Sequence, residues 1–294
     1  MVVGANSVLT NLQHVDCAVS TAPHWNTQCI GRAAIAAMYD ELALAPKPGL
    51  VSFVDSGSHF DMDATTFMRS LFALRHYFLR IASLGAAHAP FEELEALGIR
   101  AEAQMLKATV GINTHRGTIF TMGLLCAAAG KLPERPCAYT LRETLVDGWG
   151  EALRERCRQG TGSNGQRVIL ALGLRGAGEE AADGFPVLFE RAVPALSKAR
   201  YSGLDGQHAS LQAFFEIMSV LDDTNLAHRG DLAGLRYAQS EARRFLDEGG
   251  AYRSDAIVHA QRIHQAFVAR RLSPGGAADV LAAAGFVERI CHSA

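Results

Sequence analysis

Lysine is scarce in this chain of 294 residues: Lys47, Lys107, Lys131 and Lys198 are the only four, so 24 of the 28 cationic side chains are arginines. GC-rich coding produces such a bias, but arginine forks also suit phosphate and carboxylate ligands. With 30 acids and a net charge of −2 there is no basic excess of the kind nucleic-acid binders carry. Long apolar runs are missing too. The longest without a charge, Gly117 to Gly130, has 14 residues, short of the roughly 20 that span a bilayer. No cation precedes Arg32, and no signal-like apolar segment opens the chain. Six cysteines stand at 17, 29, 126, 137, 157 and 291 with no C-x-x-C pair. That spacing weakens a zinc or thioredoxin-like reading and fits a reducing cytoplasm better than a disulfide framework. Strand signals are few: Leu50 to Val54 and Val168 to Leu170 are short and isolated. The expectation is a cytoplasmic protein that binds neither nucleic acid nor membrane.

What is present is a helical pattern. Hydrophobic residues make up 49% of the chain, enough to bury a sizeable core. Residues 1–26 have weak periodicity and read as a loose lead-in. Residues 27–294 are expected to form one all-α domain of many helices, with the active site in the loops between them. Thr66 to Leu84 puts Phe67, Leu71, Leu74, Phe78 and Ile81 on a single helix stripe, with Asp61 or Asp63 as its N-cap. Gly117 to Ala129 is apolar nearly all round and predicts a central buried helix. His208 to Arg229 carries Leu211, Phe214, Phe215, Met218 and Leu221 on one face, and Asp231 to Glu248 repeats the pattern up to Gly249 and Gly250. Pro194 should kink or shorten a helix over Phe185 to Lys198. Gly160 to Gly165 reads as a mobile loop.

Three loops hold most of the chemistry. The densest, Pro46 to Asp63, reads PKPGLVSFVDSGSHFDMD and gathers Lys47, Asp55, Ser56, Ser58, His59, Asp61 and Asp63. Chemistry concentrates in loops that rigid elements hold. In an extended segment His59, Asp61 and Asp63 project to one side, as metal ligands or with one carboxylate as a general base. The plainer reading makes the two acids N-caps and His59 a packed loop residue. The second loop, GINTHRG at Gly111 to Gly117, is not a Walker A motif. Asn113 and Thr114 can cap the apolar helix after it, so that its first N–H groups, with His115 and Arg116, form a phosphate cradle. A capped helix start with two surface cations is the alternative. In the third, LDDTNLAHRG at Leu221 to Gly230, a helix running through would put Asp222, Asn225 and Arg229 on one face. Adjacent acids such as Asp222 and Asp223 hold Mg²⁺ beside phosphates, whereas a polar helix end would need only the dipole. A fourth stretch, GLRGAGEEAADGFP at Gly173 to Pro186, sets Arg175 among Glu179, Glu180 and Asp183.

These stretches, in this order and with SPGGAADVLA at Ser273 to Ala282, resemble the triphosphoribosyl-dephospho-coenzyme A synthase family. The resemblance spans Pro46 to Ala282. It implies a transferase that moves the triphosphoribosyl group of ATP to the 2′-hydroxyl of 3′-dephospho-CoA and releases adenine. The product is the prosthetic-group precursor of citrate lyase or malonate decarboxylase, passed to an acyl carrier protein by a separate transferase. The DSGSHFDMD wording and the chain length lean toward the malonate decarboxylase branch. The family's α-linked product, made from β-linked ATP, implies one inverting displacement with oxocarbenium character at C1′.

On that resemblance Asp61 or Asp63 is the general base, near His59. Asp222 and Asp223 would hold Mg²⁺ on the triphosphate. Lys47, His115, Arg116 and Arg229 would bind phosphate oxygens. Ser56, His59, Asn113 and Asn225 would position substrate or the groups behind it. Arg175 joins the nucleotide-binding set as the sole cation of its loop. The chain departs from the family pattern twice: Asp231 sits where a second glycine often follows Arg-Gly, and Gly178 where an arginine is often found. Two rivals remain. One is an all-α, metal-dependent hydrolase of a nucleotide or ADP-ribose-type substrate. The other is a non-catalytic helical module docking an acyl carrier. Amphipathic helices at both ends leave a homodimer open.

Overall fold

The structure is a computed structural model, and it describes residues 26–159 and 171–291. In chain order the α-helices are α1 (Thr27–Ala43), α2 (Ala64–Leu74), α3 (Tyr77–Ala86), α4 (Phe91–Ala108), α5 (Arg116–Lys131), α6 (Ala138–Gln159), α7 (Ala177–Ala182), α8 (Val193–Tyr201), α9 (Gly206–Met218), α10 (Thr224–Asp247), α11 (Ala256–Ala269) and α12 (Gly275–Cys291). A π-helical turn, Leu188–Ala192, leads into α8, and a 3₁₀ turn, Gly250–Tyr252, follows α10. Among the described residues there is no strand, and the fold is all-α as the periodicity implied. Leu50 to Val54 is loop, with Leu50 and Val51 buried. The lead-in lies outside the described residues except Asn26, whose side chain accepts the Cys29 N–H at 3.0 Å and caps α1. The glycine-rich stretch 160–165 and the strand-like 168–170 also lie outside them.

Helix α5 occupies the centre, with Met122 to Ala129 buried without interruption. It crosses α3 at backbone contact. A Cβ on Gly85 would stand 1.9 Å from the Ala127 carbonyl oxygen, and one on Gly130 would stand 2.0 Å from that of Ala82. The pair of missing side chains lets the two helices touch at both ends of their crossing. Tyr77 closes the same interface by donating to the Ile119 carbonyl at 2.9 Å. Helix α12 lies along α1 and α5, and Arg289 pairs with Asp40 across the first contact.

Two local expectations change. The single stripe from Thr66 to Leu84 is two helices, broken at Arg75 and His76, where the Arg75 guanidinium turns back to the Phe72 carbonyl at 2.7 Å. Asp63 caps the first of them. No helix runs through Leu221 to Gly230; α9 ends at Met218, and Asp223 begins α10 as its N-cap. Leu221 continues the apolar face, but the capping carboxylate fixes the break. Pro194 stands in the first turn of α8, and the regular α-helix is shortened to Val193–Tyr201 as expected. The π-turn before it, one residue wider than an α-turn, absorbs the proline's missing N–H.

Candidate active site

The loop after α1 is clamped against the connection between α11 and α12. Gly49 and Gly57 both have positive φ, 69° and 56°. A Cβ on Gly49 would meet the Leu272 carbonyl oxygen at 2.0 Å, so only glycine allows this approach. Ser58 Oγ then donates to that carbonyl at 2.6 Å. Lys47 points inward. Its ammonium donates to the Glu41 carbonyl at 2.5 Å and pairs with the Glu41 carboxylate, the two side chains being 1% and 7% exposed. The proline-framed lysine expected at a triphosphate is therefore an interior ion pair. His264 Nδ1 donates to the Lys47 carbonyl at 2.8 Å, and its Nε2 lies 3.3 Å from Asp55. Ser56 stands partly exposed at the turn, accepting the His59 N–H through its carbonyl at 3.1 Å.

His59 and Arg229 bind the loop to α10. Arg229 donates to His59 Nδ1 at 3.0 Å and to the Ser58 carbonyl at 3.3 Å. A guanidinium cannot accept a proton bond, so His59 Nδ1 must be bare and Nε2 must carry the proton. Nε2 accordingly donates to Ser273 Oγ at 2.8 Å. Burial, then the Arg229 charge, holds the His59 imidazole below its ordinary range. Asp61 lies beside this group, 3.7 Å from His59 Nδ1, with its side chain 63% exposed. Asp63 is already committed: its Oδ1 accepts both the N–H and the hydroxyl of Thr66 at 2.8 Å, and these bonds hold its carboxyl below the usual range.

A second group lies inside. Asp223 Oδ1 accepts the N–H groups of Asn225 at 2.9 Å and Leu226 at 3.2 Å, while Oδ2 accepts that of Ala277 at 2.9 Å. One carboxylate thus caps α10 and α12 together. Asp279, on α12, accepts the Thr118 hydroxyl and backbone N–H at the start of α5. A Cβ on Gly117 would fall 1.9 Å from Asp279 Oδ2. Two acids therefore satisfy three helix N-termini, where N–H groups and dipoles favour negative charge. Burial pushes Asp223 up to about 6, against the pull of its backbone donors. It pushes Asp279 up to about 7, with Glu41 and Asp223 adding to the rise.

The expected cradle at α5 is filled from within. Asn113 Oδ1 accepts the Arg116 N–H at 3.1 Å, and Asp279 takes that of Thr118. His115 is buried against Phe67, with Nδ1 2.6 Å from Ser70 Oγ. Burial, then the Lys47 charge, pushes its pKa down to about 3, so it is a neutral group. Arg116 is half exposed and donates to Glu102 at 2.6 Å. Thr114 Oγ1 is buried and has no hydrogen-bond partner among the described residues.

Asp222 lies just outside the α10 cap. Its Oδ2 accepts the Arg175 N–H at 3.1 Å, which leaves Oδ1 available. The Arg175 guanidinium is spent on its own loop, on Glu180 at 2.6 Å and Asp183 at 2.5 Å. Gly178 sits against Cys157; a Cβ there would be 2.7 Å from the sulfur. The Asn225 side chain lies over Gly275.

The three sequence islands are linked by contact. Asp61 stands beside His59, which bonds Ser273; Gly276 and Ala277 meet Asp223, next to Asp222; Asp279 meets Gly117, next to Arg116. The stretch Ser273 to Asp279 is the hub. Sequence reasoning marked it as a matching stretch but gave its residues no role. Glu41, Asp279 and Ser273 were missed, because an acid inside a helical pattern looks like any solvated one. Among the described residues no three His, Cys, Asp or Glu side chains are arranged to hold a metal ion. Both Asp223 oxygens already accept backbone N–H groups.

Residues 27–294 match a family model described as CitG: ATP:dephospho-CoA triphosphoribosyl transferase. The helical fold thus carries the site of a group-transferring enzyme. The chain belongs to the ATP:dephospho-CoA triphosphoribosyl transferase family. It is 38% identical over 259 residues to a probable 2-(5''-triphosphoribosyl)-3'-dephosphocoenzyme-A synthase of Acinetobacter calcoaceticus, covering 87% of this chain and 89% of the relative. A probable synthase of the same description from Citrobacter koseri is 38% identical over 267 residues, 86% of this chain and 88% of its own. A synthase so named from Pectobacterium atrosepticum is 38% identical over 254 residues, 82% of each. No solved structure matches this chain.

Proposed function

We propose that the chain joins the triphosphoribosyl group of ATP to the 2′-hydroxyl of 3′-dephospho-CoA. The C1′–N9 bond of ATP breaks with its electron pair going to adenine. The hydroxyl oxygen bonds C1′, and the hydroxyl proton passes to a carboxylate and finally to the departing base. The observation that carries this reading is the family match over 27–294, joined to the meeting of the three densest motif loops at Ser273 to Asp279.

Asp61 is the general base in this reading, in preference to Asp63. Asp63 has given its Oδ1 lone pairs to the helix cap, whereas Asp61 is exposed beside the fixed His59–Arg229 pair. A base must present an unused lone pair to the hydroxyl. His59 carries its proton on Nε2 and serves by holding the loop and Arg229. Arg229 lines the triphosphate side, and Arg116 reaches it by exchanging Glu102 for phosphate oxygens, a preference that bidentate guanidinium contacts favour. Mg²⁺ would arrive on ATP with phosphate oxygens as most of its ligands, held by Asp222 alone; it neutralises triphosphate charge when bound.

The product serves the prosthetic group of malonate decarboxylase, a reading that rests on the DSGSHFDMD loop, and passes to an acyl carrier protein through a second transferase. The described residues include no helix long and apolar enough to cross a membrane, and the free thiols of Cys126, Cys137, Cys157 and Cys291 support a cytoplasmic location. Adenine release measured with and without 3′-dephospho-CoA tests the reaction: release is expected only with both substrates. Release by water alone would sink it in favour of hydrolysis.

A further inference from the structure

Phe60 is 92% exposed although it stands between His59 and Asp61. Its backbone is not a waving tip. Ser58 N–H donates to the Gly49 carbonyl at 3.0 Å, and the His59 ring is tied to Ser273 and Arg229. A rigid loop thus presents a bare aromatic ring to solvent. Other rings have neighbours: the exposed Tyr39 and Phe53 pack on each other at 5.6 Å, and Arg270 covers the partly buried Tyr237 at 4.4 Å. The partner of Phe60 is the guanidinium of Arg271, 5.9 Å from the ring centroid. Arg271 is itself exposed and enters no ion pair among the described residues.

A flat ring beside an unpaired guanidinium fits a purine base. The ring stacks on the purine face, and the guanidinium donates to its ring nitrogens. Two adenines take part in the proposed reaction, and stereochemistry separates them. Asp61 must hydrogen-bond the 2′-hydroxyl of the acceptor. An inverting displacement puts the adenine leaving ATP on the opposite side of the reacting carbon. The base near that hydroxyl is the acceptor's own, attached to the adjoining ribose carbon. We infer that Phe60 and Arg271 form the subsite for the adenine of the acceptor nucleotide, 3′-dephospho-CoA. This deepens the proposed function and rests on it.

The test needs no turnover. Calorimetric titration of 3′-dephospho-CoA into the full chain and into Phe60→Ala should show affinity falling on the order of tenfold, the effect of one lost base stack. Phe60→Trp should keep it. Phosphopantetheine, which lacks the base, should bind both proteins alike, and melting temperature should not change for so exposed a side chain. In steady state, KM for 3′-dephospho-CoA should rise while KM for ATP stays. A rise confined to ATP, or unchanged affinity for both nucleotides in Phe60→Ala, overturns the assignment. Adenine release without acceptor would instead overturn the transfer reading, while the titration still reports on the subsite.

Discussion

Asp231 holds φ 52° and ψ −165° between the two halves of α10. That region belongs to glycine, and a side chain there costs on the order of 1–3 kcal/mol. A glycine would meet this backbone freely, whereas Asp231 holds it under strain. Asp231→Gly should raise the melting temperature by about 2–6 °C, read by calorimetry; an unchanged or lowered value would mean the strain is relieved elsewhere. A few residues away in space, the acids of the first island part company. Asp61→Asn should lower kcat by about 10²- to 10⁴-fold with the fold intact. Asp63→Asn should mainly loosen the α2 cap. Both carboxylates were visible in the sequence, and their equal spacing hid which one was spent. Lys47 misled for a related reason: prolines beside a lysine imply rigidity but not the direction the side chain takes.

At the scale of the helix, the crossing of α3 and α5 depends on two absent side chains. Gly85→Ala places a Cβ 1.9 Å from the Ala127 carbonyl oxygen. Backbone cannot give way as a side-chain end can, so the variant should lose about 3 kcal/mol or more in denaturant unfolding. Wild-type stability in that variant would show that the helices separate freely. Asp223→Ala leaves the starts of α10 and α12 without their shared acceptor, and should cost about 2–4 kcal/mol in the same measurement. The central burial of α5 was legible, because a helix apolar all round has no face for water. The breaks at Arg75 and Asp223 were not. Both interrupt the helix without interrupting the apolar stripe, and periodicity reports only the stripe.

Across the whole molecule, the interior carries Glu41 and Asp223 against Lys47, with the partly buried Asp279 beside them. The folded pKa of Asp279 is about 7 and that of Asp223 about 6, each above the ordinary 3.8. The folded state therefore binds these protons more tightly than the unfolded chain. The share of stability that these two protons contribute is fully present below about pH 4 and is lost as pH rises toward 7. His115 acts with the opposite sign in the same window, because its folded pKa of about 3 lies below the ordinary 6.5. Asp279→Asn, which keeps an acceptor for Thr118 without the charge, isolates the acid: its advantage over wild type in unfolding free energy should grow from pH 4 to pH 8, to on the order of 3 kcal/mol. An advantage that does not change with pH would contradict a proton-holding Asp279.

Hydrophobic spacing along the chain was enough to determine an all-helical protein with a buried central helix, and its motif loops were enough to mark the family. Those signals are local, since a helix is built from neighbours three and four residues apart. Which acid caps a helix, which lysine turns inward and which arginine is left unpaired were decided only by tertiary structure. Each of those outcomes depends on carbonyls and N–H groups that lie as far as 217 residues away along the chain, as Lys47 and His264 do.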